Sequence, residues 1–301
     1  MILDVPVPDP HDPTPWQNRG GIWYKRDDLH RHPVYGVNGS KYRAARYLIR
    51  KAHEAGNYLV VSAASVKAPQ SAIASVLAAE EGMACHVIVG GTTVEKALAK
   101  HHPMQVAERA GATFSAIPVG YNPALQKAGR DLVETMGDAW LFPYGTSTPP
   151  DATVTDIEEF LEIGHEQVLN LPDEVETLVL PFGSGNTAAR VMYALAIHGA
   201  GNIKKIVLVG IGPNRYDWLM DRLNGVGVGL DTVGEFPFEI EHIPLHPWFA
   251  EYGDLMPETS DGIDMHPTYE GKVVRFLNSA RPEWWTRRDG TTGFWIVGGP
   301  L

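Results

Sequence analysis

The stretch Leu178-Val-Leu-Pro-Phe-Gly183-Ser184-Gly185-Asn186-Thr187-Ala-Ala-Arg190 reads as a buried strand, a small glycine turn and a helix starting at Thr187. A strand feeding a helix through a tight turn is the repeating unit of α/β proteins, and the pattern recurs along the chain in both directions. Apolar runs with strand character cover residues 58–61, 85–89, 113–117, 177–180, 205–209 and 294–297. Between them, residues 42–55, 70–81, 94–110, 123–136, 155–169 and 187–198 carry helical periodicity. Strand, crossover helix, strand builds a parallel sheet covered on both faces, so the expected fold class is α/β. Glycines at 56, 82, 111, 137 and 199 stand just past helix ends, where a left-handed residue closes the last turn.

The 183–187 turn also carries chemistry. Amide groups at a helix start, with the helix dipole, form a cradle for an anion, and Ser184 and Thr187 add hydroxyl donors. Glycine at 183 and 185 lets the backbone approach a phosphate closely. The lysine of a nucleoside-triphosphate loop is absent. An ordinary strand–helix turn has the same outline, and the residues of the turn alone leave both readings open. The clusters Gly210-Ile-Gly212 and Gly225-Val-Gly227-Val-Gly229 lack the full dinucleotide fingerprint and read as turns.

Composition narrows the class. Hydrophobic residues make up 44% of the 301 and charged residues 20%, which suits a buried core and argues against disorder. A formal net charge of −11 disfavours a broad nucleic-acid-binding face, without excluding a local basic patch. The single cysteine, Cys85, lies in an apolar run and reads as a core thiol. Residues 1–15 lack the basic and apolar regions of a signal peptide, and no run approaches the roughly 18 apolar residues of a membrane span. A cytoplasmic protein is expected, with the proline-rich opening laid as an extended arm on the surface or on a partner subunit. His101-His102 precede Pro103 with no third ligand at metal spacing, so no metal site is expected; His246 and His266 each precede proline in extended backbone.

Asn38-Gly39-Ser40-Lys41-Tyr42-Arg43 stands directly before a helical segment. A lysine there is misplaced relative to the helix dipole, which favours cations at the other end. Surface lysines do occur at such positions; an anion site elsewhere in the fold makes a Schiff-base nucleophile the alternative.

Four segments in order resemble the fold-type-II pyridoxal-phosphate enzymes, and more narrowly the 1-aminocyclopropane-1-carboxylate deaminase and D-cysteine desulfhydrase group. They are Ile22-Trp-Tyr-Lys-Arg-Asp-Asp-Leu29, the Lys41 segment, the 183–187 turn, and Asp264-Met-His-Pro-Thr-Tyr269-Glu270-Gly-Lys272. The closing Phe294-Trp-Ile-Val-Gly-Gly299 is similar to the group's last strand and glycine pair. The resemblance implies two interleaved open twisted sheets covered by helices, as in the tryptophan synthase beta-like fold. It implies a larger cofactor-holding domain of residues 1–43 and 146–301, a smaller inserted domain of residues 44–145, and a homodimer. The cofactor would be pyridoxal 5'-phosphate, held between the domains, with Lys41 at the junction as the Schiff-base lysine. Gly183, Ser184, Gly185, Asn186 and Thr187 resemble the phosphate cup. Glu270 matches the residue that meets the pyridine nitrogen, where a carboxylate favours the protonated ring. Tyr269 and Tyr252 resemble active-site phenols, or else simply pack a ring and bond its hydroxyl.

Departures from the group fall at the substrate. Where the group carries Ser-Asn before Gln or His to grip the substrate carboxylate, this chain has Ala68-Pro69-Gln70. The hydroxyl and the amide are absent, and only Gln70 is kept. Pro69 suits a first helical turn. Ser65, Lys67 and Ser71 are nearby replacements, so Ser65, Lys67, Ala68 and Gln70 form the expected substrate-binding set. Ser40 stands where the group usually has Asn. The resemblance implies deaminase or lyase chemistry at the α-carbon of a small amino-acid substrate. The altered loop argues against an ordinary deaminase and leaves open a decarboxylase or lyase acting on an amino-acid group attached to a larger molecule, such as a modified nucleobase. A catalytically inactive cofactor-binding protein is the reading from a different class, disfavoured by the presence of both Lys41 and Glu270. Two stretches read as linkers, residues 143–152 and the polar, turn-rich residues 251–267, the latter placed to cover a substrate.

Overall fold

The computed structural model describes residues 9, 12–229 and 236–300, so most of the proline-rich opening lies outside the described residues. The chain divides into two units, one of residues 31–150 and the other of residues 12–30 with 151–300, residues 230–235 aside. In chain order the second unit opens with the hairpin β1 (Trp16–Arg19) and β2 (Ile22–Arg26). The first unit then runs α1 (Gly39–Glu54), β3 (Leu59–Ala63), α2 (Gln70–Glu80), β4 (Ala84–Gly90), α3 (Val94–Lys100), α4 (His102–Arg109), β5 (Thr113–Ile117), α5 (Asn122–Met136) and β6 (Ala139–Leu141). The second unit resumes with α6 (Val154–Glu162), α7 (His165–Val168), β7 (Thr177–Phe182), α8 (Asn186–His198), β8 (Lys205–Gly210), α9 (Tyr216–Asn224) and β9 (Glu239–Pro244). It ends with β10 (Glu258–Ser260), β11 (Ile263–Met265), α10 (Glu270–Ala280), α11 (Glu283–Thr286) and β12 (Thr292–Ile296).

The first unit's sheet has the order β5-β4-β3-β6, all parallel. Successive strand residues face opposite sides, and β3 shows the consequence: Val60 packs with Ile73 and Leu77 of α2, Val61 with Leu125 of α5. Each such valine, fully buried, contributes about 1.5–3 kcal/mol over an exposed one. Cys85 is buried beside Ser75 Oγ at 3.3 Å, and burial pushes its thiol up to about 12, the state of an unreactive core residue.

The second unit's sheet has the order β1-β2-β12-β7-β8-β9, parallel from β2 to β9. The two ends of the chain thus lie side by side as β2 and β12. The Lys-Arg-Asp-Asp run serves this pairing. Lys25 is wholly buried between the rings of Trp16 and Trp295, 5.6 and 5.5 Å away, and donates to Thr14 O (2.8 Å) and Asn170 Oδ1 (2.7 Å). Asp27 accepts from Thr14 Oγ1 (2.7 Å) and Trp295 Nε1 (2.9 Å), so both charges are hydrogen-bonded, as burial requires.

Two expected helices are each broken in two. Residues 94–110 part at His101, because Pro103 lacks an amide donor and its ring clashes with the preceding turn; it is accommodated in the first turn of a new helix, α4. Residues 155–169 part at Gly164, whose added Cβ would lie 2.4 Å from the Arg190 carbonyl, a close approach of α8 that only glycine permits. The 251–267 stretch, expected as loop, holds the β10–β11 hairpin. Among the described residues, no helix is long and apolar enough to cross a membrane.

Candidate active site

The turn after β7 is built around Gly185. Its φ of +88° is left-handed, and an added Cβ would lie 2.7 Å from the Trp218 ring, so both backbone and space demand glycine. The helix then starts at Asn186, one residue earlier than expected, and its first turn presents amides and the positive dipole end. Ser184 Oγ accepts a hydrogen bond from Asn186 Nδ2 at 3.4 Å. Phe182, Gly210 and Pro244 are register partners at the ends of β7, β8 and β9, so the glycine-containing turns after β7 and β8 share one edge of the sheet. β12 lies parallel on the other side of β7, which brings Val297 and Gly298, just past its end, to the same edge. The carboxyl edge of a parallel sheet is where such folds bind ligands.

Glu270 is the group the edge organises. The first residue of α10 and wholly buried, it accepts through Oε1 from the amides of Val297 (2.8 Å) and Gly298 (3.3 Å). Oε2 is buried with no hydrogen-bond partner among the described residues. Burial raises the carboxyl to about 8, against the lowering effect of the two amides, so the acid is mostly neutral at pH 7. The next two residues have equally definite duties. An added Cβ on Gly271 would lie 2.0 Å from the Met256 carbonyl. Lys272, wholly buried, donates from Nζ to the carbonyls of Glu251 (2.6 Å) and Tyr252 (2.8 Å) and lies 5.6 Å from the Tyr252 ring centre. Its pKa is lowered by burial, opposed by Asp254 and Glu251. The clamp sets Tyr252 over Gly212, where an added Cβ would lie 2.8 Å from the phenol ring. Tyr252 is therefore at the same edge, and the residue is exposed. Tyr269 precedes Glu270 as the cap of α10, its ring 4.6 Å from that of His266.

In the first unit Lys41 lies in the first turn of α1, half-buried, after Asn38 and the buried Ser40. α1 is fixed to α2 by a charged network: Glu80 takes His32 Nε2 at 2.8 Å and Arg46 at 2.7 Å, and Arg46 also donates to Tyr42 at 2.5 Å. At the start of α2, Ala68 closes a turn on the Ser65 carbonyl (2.9 Å) and Pro69 occupies the cap. Gln70 Oε1 accepts from Gly145 N (3.0 Å), while its buried Nε2 has no partner among the described residues. Lys67 is exposed, and its charge adds to the burial that lowers the His101 pKa.

Two features of the edge were not singled out by sequence. One is the Lys272 clamp. The other is a ring wall beside the 183–187 turn, where His242 stacks on Tyr216 (5.2 Å, 11°) and meets Phe182 edge-on (5.5 Å, 80°). No sequence signal marked it, because the polar residues around His242 conceal the strand that carries it.

No protein-family model matches the chain. It is 27% identical to the O-seryl-dTMP PLP-dependent decarboxylase of Salmonella phage ViI, over 92% of this chain and 78% of that protein. Among solved structures, an ACC deaminase homologue matches with a TM-score of 0.69 at 19% identity, covering 97% of this chain and 90% of its own. The processed form of threonine deaminase isoform 2 from Solanum lycopersicum matches with a TM-score of 0.61 at 14% identity, covering 96% and 84%. The chain has the fold type II architecture of the pyridoxal-phosphate-dependent enzymes.

Proposed function

We propose that this chain is a pyridoxal-phosphate-dependent enzyme that removes the α-carboxyl group of an amino acid carried on a nucleotide. Residues 183–187 would hold the cofactor phosphate, Glu270 the pyridine nitrogen and Lys41 the aldehyde carbon. The residues fit that group. The helix start and its glycines suit a phosphate. Glu270 Oε2 is a buried acceptor in want of a donor, and a ring N–H beside it would turn a neutral acid into a paired carboxylate. When bound, the cofactor supplies an electron sink for a bond at the substrate's α-carbon.

The observation that carries the decarboxylase reading is the start of α2. A carboxylate gripped by a hydroxyl and an amide is stabilised as a charged group, which opposes its departure as neutral carbon dioxide. Ala68 and Pro69 offer neither contact, the buried Ser71 hydroxyl is engaged with Ser62, and Gln70 Nε2 is a buried donor there with no partner among the described residues. In the reaction the bond from Cα to the carboxyl carbon breaks, carbon dioxide leaves, and Cα takes a proton to give a primary amine. Tyr252, clamped by Lys272, and Tyr269 are the candidates to deliver that proton. The phage relative, named for a seryl-nucleotide substrate, supports the carrier.

The test is product analysis with carboxyl-labelled O-seryl-dTMP, compared with 1-aminocyclopropane-1-carboxylate and D-cysteine. Labelled carbon dioxide without ammonia is expected from the first, and turnover lower by roughly 10²–10⁴ from the other two, each hydrogen bond to a charged group being worth ~1.5–3 kcal/mol. Efficient ammonia release from either small amino acid would return the chain to deaminase chemistry.

A further inference from the structure

We propose a divalent metal site at the ends of α6, α7 and α8, with Glu162 Oε1, His165 Nδ1 and His198 Nε2 as ligands to an ion of the Zn²⁺ class. The three atoms all lie within 4.8 Å of one another. His198 Nε2 stands 2.8 Å and His165 Nδ1 3.3 Å from the same carboxylate oxygen, and the two rings are stacked, centres 3.5 Å apart and 16° from parallel. A single ion between these three atoms would be reached by turning the rings out of their stack, so that each nitrogen lone pair, which lies in its ring plane, points at the ion.

The dimensions and chemistry suit such an ion. Zinc bonds to nitrogen and oxygen of about 2.0–2.2 Å put tetrahedral ligand atoms roughly 3.3 Å apart. The His165 contact has that length. The His198 contact is shorter, and Glu162, with 43% of its side chain exposed, has freedom to swing outward. Two histidines with one carboxylate match the ligand preference of zinc and its first-row neighbours, not that of calcium or magnesium. The imidazoles are about a quarter exposed, which leaves a fourth position for water.

The setting is electrostatically negative. Glu162 is the last residue of α6 and His198 the last of α8, so two helix carboxyl ends lie at the cluster, against the amino end of the four-residue α7 at His165. The neighbouring Tyr193 phenol is raised, first by burial and then by the Glu162 and Glu158 carboxylates. On binding, each imidazole nitrogen donates a lone pair and any proton it carries leaves to solvent. The ion would tie three helices together at the end of α8 opposite the 183–187 turn, as a staple independent of the cofactor.

The experiment strips the purified, cofactor-loaded enzyme with a chelator, adds Zn²⁺, desalts it and counts the metal by mass spectrometry. One ion per chain is expected, with a rise in melting temperature, and a visible d–d band when Co²⁺ is used instead. His198→Ala and Glu162→Gln should each lose the retained ion while keeping cofactor and circular dichroism. The paired surface variant His101→Ala/His102→Ala should keep it. No retained ion in the unmodified enzyme overturns the site whatever the variants do. So does equal retention by a folded His198→Ala or Glu162→Gln enzyme.

Discussion

Glu270 and Val297 are joined by a 2.8 Å hydrogen bond from the amide to Oε1, which fixes the first residue of α10 against the end of β12 and turns Oε2 toward no described donor. A carboxyl so buried titrates at about 8 rather than its ordinary 4.5. Between those values the folded cofactor-free chain keeps a proton that the unfolded chain has lost. Its stability should therefore fall as pH rises from about 4.5 to about 8 and be flat in this respect above, by ~5 kcal/mol in all. Glu270→Gln, a neutral mimic of the acid, should remove that slope. Urea melts of both cofactor-free proteins at several pH values check it, and equal slopes would show that Glu270 does not titrate there.

Gly185→Ala should destabilise the fold by about 1–3 kcal/mol, since it forces a side chain into the left-handed region and against the Trp218 ring. Cofactor retention should fall with it. Thermal melts and cofactor absorbance measure the two effects.

Single Ser184→Ala and Thr187→Ala changes should each weaken cofactor binding by about 1–3 kcal/mol through loss of a charge-assisted hydrogen bond to phosphate. Titration of the cofactor-free enzyme gives the affinities. No change in either would place the phosphate away from the turn.

Lys272→Met removes the clamp on the Glu251 and Tyr252 carbonyls without touching Glu270. Cofactor content should be kept and turnover reduced ~10–100-fold, the worth of one or two hydrogen bonds from a charged donor. Unchanged turnover would remove Tyr252 from the reaction.

The double change Ala68→Ser/Pro69→Asn would restore a hydroxyl and an amide at the start of α2, where Asn is also a good cap. Carbon dioxide release should slow and ammonia release from small amino acids should rise. Product analysis decides between the two.

The parts of this fold legible in sequence were those where one physical signal dominates. The six expected strands are all parallel and each appears within a few residues of its expected place; five are largely buried apolar runs, while β5 is exposed at three of its five positions. β9 was hidden because Glu239, Glu241 and His242 interrupt its apolar pattern, and β6 because three residues carry no period. The anion cradle was legible because the turn needs glycine and a helix start together. Glu270 was recognisable only by resemblance, since its partners are amides 27 and 28 residues away. Lys272 and Lys25 were opaque for another reason. A buried lysine runs against its type, and only the carbonyls that satisfy it explain it. The Glu162, His165 and His198 cluster is likewise a product of three helices meeting, which spacing along the chain does not encode.

Whether Lys41 carries the cofactor is the point on which the account turns. Borohydride reduction of the loaded enzyme, followed by peptide mapping, fixes the cofactor to the lysine that holds it. The predicted result is one pyridoxyl group per chain, on Lys41, and none on the Lys41→Ala protein. A pyridoxyl group on another lysine such as Lys67, or unchanged labelling of Lys41→Ala, would contradict it.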